Sequence, residues 1–360
     1  MKLQKYIYGM ALGAVVLSAT SCKNGEREYD DYEKGTTVYF ANQYAIRDLV
    51  LGNDEYDNSL DNAHKCAIYA TMGGAYSGRN ITLQVDVDNS LCNDLYFDDG
   101  TGVAGDPVKP MPADYYQLGS NSIPFNEMSN MMGHVEVQLT DKFFNDPAAI
   151  KSTYVVPLVI KSQVGADSIL CGKPNSTTGA VRQDASAWSV LPKDYILYCV
   201  RYKNPWHASY IRRGIDNVND NGTALTVERH DYTFGGEITA DDEICSLTTE
   251  NMKQARFPVS FKTTGTSVAC DLLLTFNETK PDGECTISSA TAGVSAQGTG
   301  KFVTKGAIKA WNEKDRDVIY LDYNVKFENE NVTVSTKDTL VVRSRGTNQK
   351  LLFTPIYQKN

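Results

Sequence analysis

Residues 317–345 read DVIYLDYNVKFENENVTVSTKDTLVVRSR. Three β-like runs lie in this stretch, Asp317 to Glu328, Asn331 to Ser335 and Thr339 to Arg345, parted by turn-forming residues. The same texture extends backward through Gly298 to Lys305, Gly283 to Ser289, Ala269 to Phe276, Ala255 to Lys262, Ala224 to His230, Ala208 to Ile215 and Tyr195 to Tyr202. It extends forward to Leu351 to Tyr357. Eight or more meandering strands in about 150 residues fit a closed antiparallel barrel, because closure leaves no exposed sheet edge. Residues 195–358 are therefore expected to form an up-and-down β-barrel, with a second sandwich as the alternative.

The N-terminal half has the same punctuation with a different grouping. Ile81 to Val87, ITLQVDV, and His134 to Leu139, HVEVQL, alternate apolar and polar residues, the pattern of strands with one wet face. Thr37 to Phe40, Cys66 to Ala70 and Tyr154 to Ile160 are further runs; Pro157 in the last belongs at an edge or a bulge. Phe143 to Ile150 reads as one short helix, and no long amphipathic helical pattern is visible. Six or seven strands in about 130 residues predict an antiparallel Ig-like β-sandwich over residues 36–165. The polar stretch GKPNSTTGAVRQDASA, residues 172–187, marks a linker within residues 166–194. The fold class is all-β, and a length of 360 suits two domains at roughly 100–200 residues each.

Composition narrows the partners. Hydrophobic residues make up 41% and charged residues 22%, an ordinary globular balance that excludes wholesale disorder. The formal charge is −9 and no basic tract exceeds the pair Arg212–Arg213, so nucleic acid is not an expected partner. The chain opens MKLQKYIYGMALGAVVLSATSC. Lys2 and Lys5 precede an apolar stretch from Ile7 to Ala19, too short for a comfortable membrane span. Small residues then lead into Cys22. Residues 1–21 read as a lipoprotein signal peptide, with Cys22 acylated and residues 22–35 an acidic tether; a plain secretory signal is the alternative. Removing Lys2 and Lys5 leaves 33 basic and 44 acidic residues, or −11. Beyond Cys22 seven cysteines remain, an odd number with no Cys-x-x-Cys, read mostly as small buried hydrophobes.

Met111-Pro112-Ala113-Asp114-Tyr115-Tyr116, the runs around Ile123 and Val135 to Leu139, and the closing YVVPLVIKS resemble an N-terminal domain of Bacteroides surface lipoproteins encoded in polysaccharide-utilisation loci. The same domain type precedes the catalytic domain of some surface chitinase-like endoglycosidases. DYILYCVRYKNPWHASYIRRG and the late TLVVRSRG resemble the lipocalin-like C-terminal domain that accompanies it, although Ala208 stands where Gly is expected. The resemblance implies an outer-membrane lipoprotein facing the cell exterior. It would bind a polysaccharide or glycan without catalysis, beside a TonB-dependent importer. In such barrels a Trp on the first strand packs under an Arg near the last, which implies a structural role for Trp206 with Arg343 or Arg345. Asp167-Ser168-Ile169 and Asp338-Thr339-Leu340 resemble the O-glycosylation signal of Bacteroides secreted proteins.

The residues themselves point away from catalysis. The four histidines, His64, His134, His207 and His230, form no metal or nucleophile motif, and the clustered carboxylates of a chitinase-like barrel are absent; a two-carboxylate glycosidase stays open. No cofactor or metal is expected. Asn217 to Glu228 approaches calcium-loop spacing, but a Gly-ended hairpin explains it better. Sugar C–H faces stack on aromatic rings while hydroxyls seek polar side chains. The candidate ligand-binding residues are accordingly Trp311, Asn312 and Glu313 in a charged loop, Trp188 after the linker, and Tyr210. The rival reading is a structural or adhesive lipoprotein that contacts proteins and binds no sugar.

Overall fold

The computed structural model describes residues 33, 35–126, 128, 131–176, 179–230, 238–278, 282–346 and 350–359. Cys22, the expected signal peptide and nearly all of the tether lie outside the described residues.

The N-terminal unit is a sandwich of two sheets. One has the strand order Ser168–Ile169, Thr37–Tyr39, Lys65–Gly73, Met132–Leu139 and Tyr116–Leu118. The other runs Leu351–Leu352, Ala45–Val50, Tyr195–Lys203, Tyr154–Val164, Ile81–Val87 and Ser122–Phe125, with Lys109–Pro110 paired beside it. Alternation decides which way the wet-faced strands point. Val135, Val137 and Leu139 meet Ile81, Leu83 and Val85 in the core, while His134 and Glu136 face water. The second sheet is covered on both faces. Val156, Leu158 and Ile160 point into the sandwich, and Val155 and Val159 pack with Leu95, Phe97 and Phe353 on the far side. Burial on both faces is why YVVPLVI and YILYCV read as unbroken apolar runs.

Pairing is antiparallel except that Ser168–Ile169 joins Thr37–Tyr39, Tyr195–Lys203 joins Ala45–Val50 and Lys109–Pro110 joins Tyr154–Val164 in parallel. Pro157 is not at an edge. It lies in a central strand opposite Leu197, with its carbonyl accepting the Asp88 N–H at 2.9 Å. The N–H it lacks falls at the rung where the Ile81–Val87 strand leaves the sheet, and the bulge comes later, between Ile160 and Ser162. The expected helix is two turns, Asp141–Phe144 and Pro147–Ile150. Asp146 accepts the Ala148 N–H between them.

The C-terminal unit is a closed eight-strand antiparallel barrel. Its order is Ala208–Asp220, Ile244–Asn251, Gln254–Phe261, Val268–Phe276, Gly283–Ser289, Val294–Trp311, Lys314–Phe327 and Val332–Ser344, and the last strand pairs back onto the first. Thr223–Arg229 hangs on the second half of Ala208–Asp220. Phe257, Phe261, Phe276, Phe302 and Phe327 fill the interior. Gly214 sits at φ +150° where a Cβ would meet the Lys337 carbonyl at 2.1 Å, so only glycine lets the first and last strands close this tightly.

Midway along, the interior turns ionic. Arg212 Nε donates to Asp338 Oδ2 (3.0 Å) and its Nη1 to Glu243 (2.9 Å). Arg229 pairs with Asp216 and with Asp338 (2.7 Å), and the Tyr323 hydroxyl donates to Asp338 at 2.7 Å. Burial works against the Arg212 charge, but Asp338, Tyr323, Glu243 and Asp216 outweigh it and raise its pKa.

The boundary between the units differs from the sequence reading. Tyr195–Lys203 and Leu351–Leu352 belong to the sandwich, and Pro355–Tyr357 pairs with Leu95–Asp98 beside it. The barrel proper begins after a buried junction. There Asn204 Nδ2 donates to the carbonyls of Asn251 (2.9 Å) and Gln254 (2.8 Å), and its Oδ1 accepts the Trp206 N–H. The residues expected to be linker hold the short strands Ser168–Ile169, Lys173–Pro174 and Trp188–Val190.

Candidate functional site

A cleft of about 710 Å³ opens where the sandwich meets the barrel. Its sandwich wall is the loop Asn53 to Tyr56. Asn58 Nδ2 donates to the Val50 and Gly52 carbonyls (2.9 and 2.7 Å), and Asn62 exchanges hydrogen bonds with Gly52 (2.9 and 3.0 Å). Those side chains fix the loop's base, and Tyr56 projects 56% exposed.

The barrel wall is the far end of the Val294–Trp311 strand. Its register to the Lys314–Phe327 strand slips twice, between Val303 and Ala307 and between Ala307 and Trp311. At each slip a lysine takes a left-handed backbone, Lys305 at φ 51° and Lys309 at φ 46°. Each is held by a carboxylate from the facing strand. The Lys305 N–H donates to Asp317 Oδ1 (2.9 Å) and the Lys309 N–H to Asp315 Oδ1 (3.0 Å). Left-handed backbone is unfavourable for such residues and persists only where the surroundings impose it. Asp317 also receives Arg345 Nη2 at 2.9 Å, and Arg345 reaches on to the Pro205 carbonyl. Glu55 ties the walls together, accepting Arg316 Nη1 at 2.6 Å and lying 3.4 Å from Lys314 Nζ. Arg343 lines the cleft from the last barrel strand with its side chain exposed.

The predicted ligand residues do not assemble here. Trp311 is 4% exposed, not borne on an open loop. Asn312 and Glu313 make a two-residue turn with φ of 50° and 54°, and Trp311 is the last strand residue before it, opposite Lys314. The double slip curls the hairpin tip back over the barrel, so the Trp311 ring packs on Ile211, Val318 and Val341 with the Arg316 guanidinium 4.6 Å from its centroid. Asn312 and Glu313 are exposed at the tip, Glu313 3.4 Å from Lys309, and neither lines the cleft. Tyr210 is wholly buried inside the barrel and donates to the Trp206 carbonyl at 2.6 Å. Trp188 is half-buried in the polar segment that precedes the sandwich strand Tyr195–Lys203, its Nε1 donating to the Val181 carbonyl at 2.8 Å.

Of the residues read as structural, Trp206 is fully buried and stacked on Phe276 at 3.6 Å, and Arg345 is buried with its guanidinium on the carbonyl of the preceding Pro205. Arg343 does not join them. The calcium-like spacing is a hairpin: Asn221 and Gly222 form the turn, and Glu228 lies far down the ladder opposite Ile215. Ser168 is exposed with its hydroxyl 2.8 Å from that of Thr37, whereas Thr339 is half-buried between Arg213 and Tyr320.

Asn53, Glu55, Tyr56, Lys305 and Arg316 went unmarked in the sequence. Glu55 and Arg316 are 261 residues apart, so no local pattern announces their pairing. The one available signal was the matched spacing of Lys305 and Lys309 with Asp315 and Asp317 across a short turn.

Comparison with known proteins follows these boundaries. The family model described as Domain of unknown function (DUF5627) matches residues 205–346, close to the span of the barrel. A second model, described as an N-terminal domain, matches residues 32–167. Curated proteins give no significant match. A crystal structure from Bacteroides ovatus, of a protein of unknown function, is 41% identical with a TM-score of 0.81, covering 91% of this chain and 100% of its own. A second Bacteroides ovatus structure, of a proposed carbohydrate binding protein, is 10% identical over 88% of this chain and 99% of its own, with a TM-score of 0.25, too low to relate the two folds. On the identity and coverage of the first, the chain belongs to one family with that Bacteroides ovatus protein of unknown function.

Proposed function

We propose that the protein is a non-catalytic lipoprotein of the outer-membrane surface, acylated at Cys22, that binds a polysaccharide or glycan for uptake beside a TonB-dependent importer. The observation that supports this most is the cleft. It is open, built by both units, and offers one exposed aromatic ring, Tyr56, among amide, carboxylate and guanidinium groups. A ring at the rim stacks on a sugar face, and the polar walls take its hydroxyls. Glu55 and Asp317 are engaged by Arg316 and Arg345, an arrangement that braces the walls. Two tests address the two halves of the proposal. Cys22→Ala should release the protein from the outer-membrane fraction; continued membrane association refutes the anchor. A glycan-array screen of the Cys22→Ala chain should yield a glycan whose affinity falls roughly tenfold in Tyr56→Ala, about 1.4 kcal/mol. Silence across the array together with a captured protein partner would favour the adhesive reading.

A further inference from the structure

The charges of the cleft do not cancel, and their imbalance names a class of sugar. We infer that the cleft selects an acidic glycan, one whose units carry a carboxylate or a sulfate, with Arg343 and Lys305 as its anion-binding pair; this rests on the glycan-binding reading above. Glu55 is matched by Lys314 and Arg316, and Asp317 by Arg345. Asp315 accepts the Lys309 N–H, and Asp54 turns its Oδ2 inward, away from solvent and without a hydrogen-bond partner among the described residues. Lys305 and Arg343 are exposed and have no acidic partner among the described residues. The lining thus carries five cationic side chains against four carboxylates, with Lys305 and Arg343 exposed and Asp54 and Asp315 also outside any ion pair among the described residues, in a chain whose formal charge is −9.

The register sets Lys305 and Arg343 on either side of one strand. Val318 pairs with Val303 on one side and Val341 on the other, so Lys305 and Arg343 lie on the strands that flank Arg316. Backbone geometry holds Lys305 in place, because its left-handed conformation is secured by Asp317. A guanidinium matches a carboxylate or sulfate with two parallel hydrogen bonds, and an ammonium adds a point charge beside it. Tyr56 on the opposite wall is left to stack on the ring.

The test uses the Cys22→Ala full-length chain against uronic-acid oligosaccharides, their methyl esters, sulfated oligosaccharides and neutral oligosaccharides, read by calorimetry at low and high salt. An acidic oligosaccharide should bind at least tenfold more tightly than its uncharged counterpart. Arg343→Gln should erase most of that preference with an unchanged melting temperature, since the side chain is exposed, and Lys305→Gln should weaken it further. The uronate and sulfate arms tell which anion is the better fit. Equal affinity for an acid and its ester, or hits on neutral glycans alone, overturns the inference and leaves glycan binding standing. No binding to any oligosaccharide overturns the glycan-binding reading itself.

Discussion

The sandwich and the barrel solve the same problem, burying one face of alternating strands, with different interiors. Between the sandwich sheets the contacts are almost wholly apolar, and its buried carboxylates Asp61 and Asp194 pair with guanidiniums that water reaches, Arg47 at 34% and Arg182 at 39% exposed, Asp61 also accepting the Val50 N–H. The barrel holds Arg212, Arg229, Asp216 and Asp338 deep among phenylalanines. Two flat sheets can slide and settle until side chains mesh, whereas a closed ring of strands fixes the interior. Charges placed there persist only if every partner is present. The barrel should therefore be the less forgiving of the two.

Removing one carboxylate from each unit tests that asymmetry with the largest expected effect. Asp338→Ala leaves two buried guanidiniums short of a partner and should destabilise the barrel by about 3–5 kcal/mol. Asp61→Ala frees a guanidinium that can hydrate and strands one N–H, costing about 1–3 kcal/mol. Urea unfolding of both variants reads the difference. Equal losses would mean that the ionic cluster is no more demanding than the Asp61–Arg47 pair.

An effect of comparable size concerns the hairpin tip. Trp311→Ala removes the ring that Arg316 covers, and a buried Trp lost this way costs about 3–5 kcal/mol. Trp206→Ala, deeper and stacked on Phe276, should cost at least as much. Thermal melts of the two place them in order. A Trp311→Ala protein that melts normally would show that the tip does not depend on its ring.

What the sequence disclosed follows the same division. Apolar runs and alternation revealed most of the sandwich strands, though not Ala45–Val50, and most of the barrel, because their inward positions are hydrophobic. It failed where inward positions are polar. The Val332–Ser344 strand reads as two pieces because Thr336 and Asp338, its inward residues there, belong to the ionic cluster. Ile244–Asn251 was overlooked because Leu247 is its one fully buried residue. Tyr195–Lys203 was assigned to the wrong unit because strand character does not name a partner, and its partners lie at Ala45–Val50 and Tyr154–Val164. For the cleft, Trp311 drew attention through its charged neighbours, yet Lys309 and Glu313 pair with each other at the tip while Arg316 covers the ring.

A smaller effect belongs to the junction between the units. His207 Nδ1 accepts the Thr249 N–H at 3.0 Å, a role open only to the neutral ring. Burial, helped by Lys203, Arg345 and Arg201, pushes its pKa down to about 4 from an ordinary 6.5, with Asp48 opposing. In the unfolded chain the ring takes a proton near pH 6.5, in the folded chain only near 4. The contribution is thus intact above 6.5 and is lost as pH falls from 6.5 to 4, by at most about 3 kcal/mol. His207→Gln should flatten the melting temperature over that window. An unchanged slope in the variant would assign the acid sensitivity to other groups.

The smallest effect is the clasp across the cleft, where the two units meet through charges that water still reaches. Glu55 is about half exposed, and so is Lys314, while Arg316 is mostly covered by the hairpin tip. Exposed pairs contribute little, so Glu55→Gln should cost under about 1 kcal/mol, and the cost should shrink in 1 M salt as screening tightens. The same substitution frees Arg316, adding an uncommitted cation to the cleft, and should strengthen binding of an acidic oligosaccharide while leaving a neutral one unaffected. Measuring stability and binding on the one variant separates the two roles. A stability loss well above 1 kcal/mol that persists in high salt would mean that Glu55 helps hold sandwich and barrel in register, and that the contrast drawn between the units extends to the seam that joins them.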